Sequence, residues 1–517
     1  MANALTINSR IVDNAGQPLR VIYWGGNQGT SSGTPVVVLA NDTNNYSGGT
    51  VVNQQQLDIG ISGGAAGNLP GGGLIINNGV VRQINGTIAS QAITLNGGST
   101  LTLAGNNSLT SLTFNNIGGT SNPTVTTGGT LTLTASNAVT ATSSNVASTS
   151  SLTGTLSLLG GAKTFNIGAI EIDGKLASQT SATLSVSAII GGDSQIIKTG
   201  AGILQLGGAN TFTGGVDLQA GGLRLASNNA ALGTGAFTIS GNNTVVSSDG
   251  RTIANAIVLG SAATNITFGQ YNEGATTYSG TVNWGGGINR TIEVNTSPTT
   301  NVQTFSGIIT GSGTLTKTGN GILALTANNN NTFDLTGSKA LQVLGGTLRI
   351  ALDSSLGSAP ATVVSDNIVL NNGILSASGN TTIHSNRGIV LGSATGSGGG
   401  VFEVVTAGQT MEYSGVIADN GIGADSMFKT GNGTLYIGGA NTYSGTTNVY
   451  LGVLRVGSAG ALGSTAGGTL ISSGATLELV NGISIGAESL SSVDPAWAVK
   501  EPFVTWLAAT ATQVPSL

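Results

Sequence analysis

The sequence predicts an all-β protein whose short strands wind into a parallel β-helix, or β-solenoid. Three observations lead to this prediction. Charged residues make up only 7% of the 517 residues, whereas Gly alone supplies 84. Apolar and polar residues alternate over short runs between turns rich in Gly and Asn, which is the pattern of half-buried strands. One phrase of the sequence also recurs, which is typical of an array of repeats.

The composition excludes several classes of protein. With a net charge of −5 and no basic runs, nucleic acid is not an expected partner. The chain has no Cys, which excludes disulfides and thiolate metal sites. No apolar run approaches the ~18 residues of a membrane-spanning helix, so no membrane span is expected. The first residues lack the apolar stretch of a signal peptide, so we expect a mature or truncated chain, or another export route.

The recurring phrase begins with Lys-Thr-Gly. It reads KTGAGILQLGGANTFTG from Lys198, KTGNGILALTANNNNTFDLTG from Lys317 and KTGNGTLYIGGANTYSG from Lys429. Each phrase opens a longer unit that ends on Leu-Gly, and a degenerate copy, NYSGGTVVNQQQLDIG, lies near the start. The clear units cover residues 198–233, 317–357 and 429–463. The repeat therefore predicts stacked coils, each of which needs its neighbours to bury its apolar face.

Two strands are predicted in every unit, because apolar residues flank one polar or small residue twice. Side chains at alternate positions of a strand point to the same face, so these apolar residues form the predicted core. They are Leu204, Leu206, Leu223, Leu225, Leu323, Leu325, Leu348, Ile350, Leu435, Ile437, Leu454 and Val456. An aromatic residue that follows Asn-Thr lies between the two strands of each unit.

A solenoid accounts for these strands better than a sandwich or a propeller. A sandwich of this length would be very large, and the propeller blade repeat of roughly 40–50 residues is absent. Low charge suits a solenoid, because like charges on coils about 4.8 Å apart would repel. The predicted divisions are an N-terminal cap or docking segment (1–35), the parallel β-helix (36–486) and a C-terminal cap or docking segment (487–517).

The unit resembles the autotransporter-associated β-strand repeat of bacterial surface and secreted proteins. The resemblance rests on the pattern G-x-G-x-L-x-[LI]-x-G-x-N-T-[FY]-[ST]-G, followed by G-x-L-R-[LV] and A-L-G, and it is clear over about 198–480. It implies a right-handed parallel β-helix and the passenger region of an autotransporter. Such passengers are adhesins, scaffolds or carriers of inserted domains. The short stretch after the last unit leads us to expect a passenger segment instead of a self-exporting autotransporter.

Several short motifs could carry chemistry, but their arrangement argues against an enzyme. KTG marks penicillin-binding enzymes when S-x-x-K and S-D-N accompany it. Here SMFK (426–429) shares its Lys with KTG, and SDN (365–367) precedes it. GGDS (191–194) resembles the serine motif of passenger proteases, but the single His384 follows that serine instead of preceding it. We expect structural turns at these positions, no catalytic residue and no cofactor.

Charged residues offer two further candidates. Glu171, Asp173 and Lys175 form the best local cluster, and a solvated strand face is a simpler account of them than an acid–base pair. An Arg lies between the apolar residues of each second strand, at Arg224, Arg349 and Arg455, and could form a basic ladder for an anionic glycan. Asp58 takes this place in the degenerate copy. An outward position that tolerates either sign is therefore the simpler interpretation.

The two ends differ in composition from the repeats. An uncapped solenoid exposes unpaired strand edges, and these invite pairing with another chain. The end segments carry the aromatic candidates for assembly contacts, which are Trp24, Trp497, Phe503 and Trp506. These segments either cap the solenoid or join subunits.

Three functions follow from these observations. The first is a structural extracellular or cell-surface protein that assembles head to tail into a filament or surface layer. The second is an adhesin that binds glycan or a host surface, for which Tyr436 and Tyr443 would be exposed aromatic contacts. The third, a polysaccharide-degrading β-helix, lacks a cluster of carboxylates.

Overall fold

The structure is a computed structural model that describes residues 4–25, 36–117, 121–178, 180–270, 273–297, 300–480 and 482–493. The chain divides into two compact units, Met1–Ala263 and Thr264–Leu517. Both consist of short strands, and the helical element of the described residues is one 3-10 turn, Asp353–Leu356. The predicted all-β class is confirmed.

The strands of the first unit follow one another closely along the chain. They are β1 (Ala4–Ile7), β2 (Val21–Trp24), β3 (Val36–Leu39), β4 (Thr50–Asn53), β5 (Gln56–Ile59), β6 (Gly67–Leu69), β7 (Leu74–Asn77), β8 (Val80–Gln83), β9 (Gly86–Ile88), β10 (Ala92–Asn96), β11 (Thr100–Leu103), β12 (Asn107–Leu109), β13 (Ser111–Asn116), β14 (Thr124–Leu133), β15 (Asn137–Ser143), β16 (Ser150–Leu158), β17 (Lys163–Ile172), β18 (Lys175–Ser178), β19 (Leu184–Val186), β20 (Ile189–Gly192), β21 (Ile196–Thr199), β22 (Ile203–Leu206), β23 (Val216–Leu218), β24 (Gly222–Leu225), β25 (Phe237–Ile239), β26 (Thr244–Ser248), β27 (Thr252–Ile253) and β28 (Ile257–Leu259).

The second unit is built in the same way. Its strands are β29 (Asn265–Phe268), β30 (Thr276–Tyr278), β31 (Val282–Asn283), β32 (Ile288–Glu293), β33 (Gln303–Phe305), β34 (Ile309–Thr318), β35 (Ile322–Leu325), β36 (Phe333–Asp334), β37 (Leu341–Val343), β38 (Thr347–Ile350), β39 (Val364–Leu370), β40 (Ile374–Ala377), β41 (Thr381–Ile383), β42 (Arg387–Leu391), β43 (Gly399–Val404), β44 (Thr410–Tyr413), β45 (Ile417–Asp419), β46 (Ser426–Thr430), β47 (Thr434–Ile437), β48 (Thr447–Val449), β49 (Val453–Val456), β50 (Thr469–Ile471), β51 (Thr476–Leu479) and β52 (Leu490–Ser492).

Strands of the first unit pair with strands one coil away and in parallel, as a β-solenoid requires. One face runs through β1, β3, β5, β8, β11, β14, β16, β19, β22, β24 and β26. A second face runs through β2, β4, β7, β10, β13, β15, β17, β21, β23, β25 and β28. The predicted parallel β-helix is therefore confirmed.

Most strands of the second unit lie on three parallel faces, and β31 and β36 pair in parallel with the first part of β34. Face A contains β29, β32, β34, β37, β39, β42 and β45. Face B contains β30, β33, β35, β38, β40, β43, β46, β48, β50 and β52. Face C contains β41, β44, β47, β49 and β51.

Alternate side chains of the strands fill the interior. In β10, Ile93 and Leu95 are buried while Thr94 between them is half-buried. Leu95 is in register with Ile76 on one neighbouring strand and with Phe114 on the other. Each coil therefore contributes one layer to a continuous apolar column, and a shift of one residue would turn that layer toward solvent.

The repeated phrase changes face within the second unit. The strand of Lys317 (β34) lies on face A, and the strand of Lys429 (β46) lies on face B. The second strands shift in the same sense, from face B for Arg349 to face C for Arg455. The spacing of the two phrases is therefore not a whole number of coils, and equivalent residues do not stack into one column.

The solenoid extends beyond the predicted middle segment. Strands β1 and β2 pair in parallel with β3 and β4, so they form a coil of the first unit. At the other end, β52 pairs in parallel with β50. The described parts of the 1–35 and 487–517 segments thus include solenoid strands.

Candidate functional site

The lysine of each phrase points into the interior. Lys198, Lys317 and Lys429 are all 0% exposed. The Nζ of Lys198 donates hydrogen bonds to the backbone carbonyls of Thr199 (2.9 Å), Gly200 (2.8 Å) and Ala220 (2.9 Å). The other lysines repeat this arrangement, with Lys317 donating to Thr318, Gly319 and Gly345 and Lys429 donating to Thr430, Gly431 and Leu451. One ammonium thus joins two coils at a corner, an arrangement that we call the lysine clamp.

Burial changes the protonation of these lysines. Loss of hydration lowers the pKa of Lys198 to about 7, that of Lys317 to about 7 and that of Lys429 to about 8. The carboxylate of Glu293 opposes the shift at Lys317, and that of Glu403 opposes it at Lys429. Because carbonyls take all three hydrogen bonds that an ammonium can donate, the clamp lysines are structural groups and not free bases or nucleophiles.

A buried asparagine joins three successive coils. The Oδ1 atom of Asn210 accepts a hydrogen bond from the N–H of Ile190 (2.8 Å), and its Nδ2 donates to the carbonyl of Ala231 (2.6 Å). The same pair of bonds links Asn329 to Ile309 and Ser355, Asn441 to Ile417 and Ala461, and Asn44 to Ile11 and Asn68. We call this residue the asparagine staple.

Sequence reasoning missed the role of the staple, although a signal was present. An Asn stands two residues before the aromatic in the copies with Phe212, Tyr443 and Tyr46. A short amide that recurs before a fixed core position indicates a side chain that bonds backbone groups of adjacent turns.

The aromatic residue of each unit is buried. Phe212 and Tyr443 are 0% exposed, and Phe333 and Tyr46 are 1% exposed. The expected exposure of Tyr443 is therefore wrong: the Asn-Thr-aromatic segment directs the ring inward, and its hydroxyl shares a hydrogen bond with the side chain of Thr447. Burial also raises the pKa of Tyr443.

The two alternating strands of each unit point their apolar residues inward. Each of the following is at most 1% exposed: Leu204, Leu206, Leu223, Leu225, Leu323, Leu325, Leu348, Ile350, Leu435, Ile437, Leu454 and Val456. Of the residues between them, Gln205 and Tyr436 are half-buried on the outer surface, whereas Ala324 is buried.

The outward arginines pair with carboxylates on other coils. Arg224 Nη2 lies 2.7 Å from Asp249 Oδ1, and Arg455 Nε donates to Glu478 Oε2 at 2.7 Å. The remaining pairs are Arg349 with Glu403 (3.5 Å) and, in the reversed order of the degenerate copy, Asp58 with Arg82 (2.6 Å). Because charge is neutralised between coils and Arg349 and Arg455 lie on different faces, these residues do not form one basic ladder.

The motifs that resemble catalytic sequences are separated by the fold. Lys429 points inward, whereas Ser426 lies on the outer surface and shares a hydrogen bond with Thr446 (3.1 Å). The hydroxyl of Ser194 is buried without a hydrogen-bond partner among the described residues. His384 lies in an exposed turn, where its Nδ1 accepts a hydrogen bond from the N–H of Asn386 (3.1 Å). None of these serines contacts a general base in the described structure.

The acidic cluster lies on a hairpin that leaves the solenoid. Strands β17 and β18 pair antiparallel, and Asp173 and Gly174 form the turn with positive φ values of 51° and 70°. Glu171, Asp173 and Lys175 are exposed there. No group of three or more His, Asp or Glu side chains in the described residues is arranged to hold a metal ion. Within the same residues, no helix is long and apolar enough to cross a membrane.

The predicted assembly residues fall at the ends. Trp24 is 75% exposed on β2. Trp497, Phe503 and Trp506 lie outside the described residues. Leu5 of β1 is 62% exposed, although it is in register with the inward-facing positions of the next coils.

Comparison with known proteins agrees with this geometry. The model of the passenger-associated-transport-repeat family matches residues 32–54, 196–225, 315–350 and 427–456. These segments contain the three lysine clamps and, in the first segment, the staple Asn44. No solved structure matches the chain.

One curated relative is an autotransporter adhesin. The chain is 30% identical over 217 residues to the adhesin BmaC autotransporter of Brucella suis biovar 1 (strain 1330). This match covers 41% of the chain but only 6% of the relative's length. Repeats and fold agree: the chain carries passenger-associated-transport repeats on a parallel β-helix and resembles part of an autotransporter adhesin.

Proposed function

We propose that this chain is a non-enzymatic, secreted or cell-surface structural protein of a bacterium that assembles head to tail into a filament or surface layer. The passenger repeats and the adhesin relative support the surface role. The clamp lysines support a structural role, because in each of the three clear units backbone carbonyls accept the hydrogen bonds of the lysine ammonium.

The observation that carries the assembly proposal is the exposure of Leu5 on β1. Leu5 is in register with Val37, which is in register with Leu57. Leu57 is 0% exposed, whereas Leu5 is 62% exposed. Among the described residues β1 and β2 each pair on one side only, and Ile22 and Trp24 are exposed beside that edge. An edge of parallel strands over an apolar interior is a template for a further coil.

The proposed occupant of this edge is the C-terminal end of a second copy. There β51 and β52 also pair on one side only within the described chain, and Leu477 and Leu479 are half-buried although they continue the register of the buried Leu454 and Val456. Opposite ends of parallel coils present strands of the same direction. A contact between them does not close on itself and gives an open fibre.

Electron microscopy and sedimentation of purified chain test this assembly. We expect filaments from the wild-type chain and folded monomers from Leu5→Asp, while Leu176→Asp on the exposed hairpin leaves filaments unchanged. Deletion of 494–517 leaves β51 and β52 but removes the predicted assembly contacts Trp497, Phe503 and Trp506. It tests those contacts separately and is expected to give folded monomers. Wild-type chain that stays monomeric at high concentration and forms no fibres contradicts the proposal.

Adhesion is the second candidate function. The named relative is an adhesin, and the second unit carries outward aromatic side chains: Tyr436 is half-buried, and Phe428 stacks on the exposed Tyr450 with ring centroids 5.8 Å apart. Binding of the fluorescently labelled chain to cultured cells, with unlabelled chain as competitor, tests this function independently of filament formation.

A further inference from the structure

We propose that Tyr436 is the platform of a binding site for a neutral sugar ring on face C of the second unit. The inference rests on adhesion, the second of the two proposed functions. Tyr436 lies between Leu435 and Ile437, which are 0% exposed, so its side chain lies on the outer surface of β47.

Two glycines make room for the ring of Tyr436. A Cβ atom on Gly457 would lie 2.1 Å from its Oη atom and 2.5 Å from Cζ, and a Cβ on Gly438 would lie 3.0 Å from Cε1. Neither glycine has a left-handed backbone conformation. The absence of a side chain at both positions therefore leaves space for the ring of Tyr436. The ring lies along the backbone and is half-buried.

This pairing of Tyr with Gly is found in one of the three clear units. The place of Tyr436 is taken by Gln205 in the first unit and by Ala324 in the second. The place of Gly457 is taken by Ala226 and by Ala351. The core, the clamp and the staple are the same in all three units, so the fold does not require the Tyr–Gly pair.

Hydrogen-bonding groups lie beside the ring. Glu412 is in register with Tyr436 on one neighbouring strand, and Arg455 is in register with it on the other. Glu478 binds Arg455 at 2.7 Å, which neutralises that guanidinium. Glu412 is exposed, and its Oε2 accepts one hydrogen bond from Thr382 (3.2 Å).

These groups select a neutral sugar. A carboxylate accepts hydrogen bonds from two neighbouring hydroxyls, and a guanidinium donates to sugar oxygens in the same plane. An aromatic surface with a few convergent polar groups is the usual composition of a small-molecule site. The exposed carboxylate of Glu412 would repel an anionic sugar, because Arg455 is already paired with Glu478. A pyranose ring with free hydroxyls fits this surface.

Titration of the full chain with cellohexaose, chitohexaose and maltohexaose, followed by saturation-transfer NMR, tests the site. We expect the wild-type chain to bind at least one of these oligosaccharides. Tyr436→Ala should weaken that binding about tenfold, the loss that removing one aromatic stacking contact produces. Gly457→Ala should also weaken it, because the added methyl displaces a ring that is still present. Tyr436→Phe should bind like the wild type.

Ile422→Ala, which removes an exposed apolar side chain elsewhere in the second unit, is the control and should bind like the wild type. Thermal melts of each variant show whether Gly457→Ala remains folded, and Tyr436→Ala keeps the test valid if it does not. Equal binding by wild type and Tyr436→Ala overturns the site but leaves adhesion standing. A wild-type chain that adheres to cells and binds none of the three sugars also overturns the site alone.

Discussion

Two regions of the first unit hold their coils together in different ways. Between residues 50 and 143, asparagines stack on the outer surface in a ladder. Asn77 donates to Asn53 (2.6 Å), Asn96 to Asn77 (2.6 Å) and Asn115 to Asn96 (2.7 Å). Between residues 196 and 225, the lysine clamp and the asparagine staple bond backbone groups from within.

The difference shows why one region has a recognisable repeat and the other does not. Successive residues of the ladder are 24, 19 and 19 positions apart. They share a position on the face but have no fixed spacing in the sequence. A side chain that reaches backbone carbonyls of an adjacent corner needs a fixed corner geometry. The phrase around Lys198 contains the residues that form this corner. Accordingly, the family model matches 32–54 and next 196–225, and it skips the ladder region between them.

The largest expected effect tests what the two regions share. Leu204→Asp in the clamp region and Leu95→Asp in the ladder region should each cost about 4 kcal/mol or more, because both leucines are fully buried and the carboxylate would lack a partner. Gln205→Asp, on the outer side of the same strand as Leu204, should cost less than about 1 kcal/mol. Chemical unfolding followed by circular dichroism measures these losses. Equal damage from Leu204→Asp and Gln205→Asp would refute the register.

The clamp itself should carry the next largest effect. Lys198→Met keeps much of the side-chain volume but leaves three carbonyls without their donor, and we expect a loss of about 3 kcal/mol. Lys175→Met, on the exposed hairpin, is the control and should change stability by less than about 0.5 kcal/mol. A Lys198→Met variant as stable as the wild type would show that the three carbonyls do not need the ammonium. The clamp would then contribute no more to stability than the ladder.

A pH series gives a smaller and more specific effect. Burial lowers the pKa of Lys198 to about 7, whereas an unfolded Lys has a pKa of about 10.4. Between these values the unfolded chain binds more protons, so the contribution of Lys198 to the free energy of unfolding rises with pH, by at most about 1.4 kcal/mol per pH unit.

The advantage of the wild type over Lys198→Met should therefore grow from about pH 7.5 to about pH 9.5. The other clamp lysines are present in both proteins and cancel. Paired urea titrations at the two pH values measure this difference. A constant difference would mean that the three carbonyls keep the ammonium charged.

The ladder should respond least to a single change. Asn96→Ala removes two hydrogen bonds, but the side chain is half-buried and water replaces part of what is lost, so we expect a cost of about 1 kcal/mol. Thr94→Ala, on the same outer face of β10, is the control. A loss as large as that of Lys198→Met, seen in the same unfolding experiment, would show that the ladder is as important as the clamp.

Parts of the repeat could be read from the sequence because they depend on local periodicity. The alternation around Gln205 and around Arg224 determines which side chains point inward. The direction of Tyr443 could not be read in this way, because it follows a turn and its hydroxyl shares a hydrogen bond with Thr447. The space that Gly457 leaves for the ring of Tyr436 could not be predicted from the alternation either, since Gly457 belongs to the next coil.

The amino-acid sequence by itself determined the all-β class, the coil as the repeating unit and the inner face of each strand. Composition and period-2 alternation are properties of consecutive residues, and these features follow from them. Only the tertiary structure decided which residues meet across coils. The carbonyls bound by Lys198, the carboxylate that neutralises Arg455 and the change of face between Lys317 and Lys429 all depend on how many residues each coil contains. Coil length is set by turns and insertions whose extent the alternation does not encode.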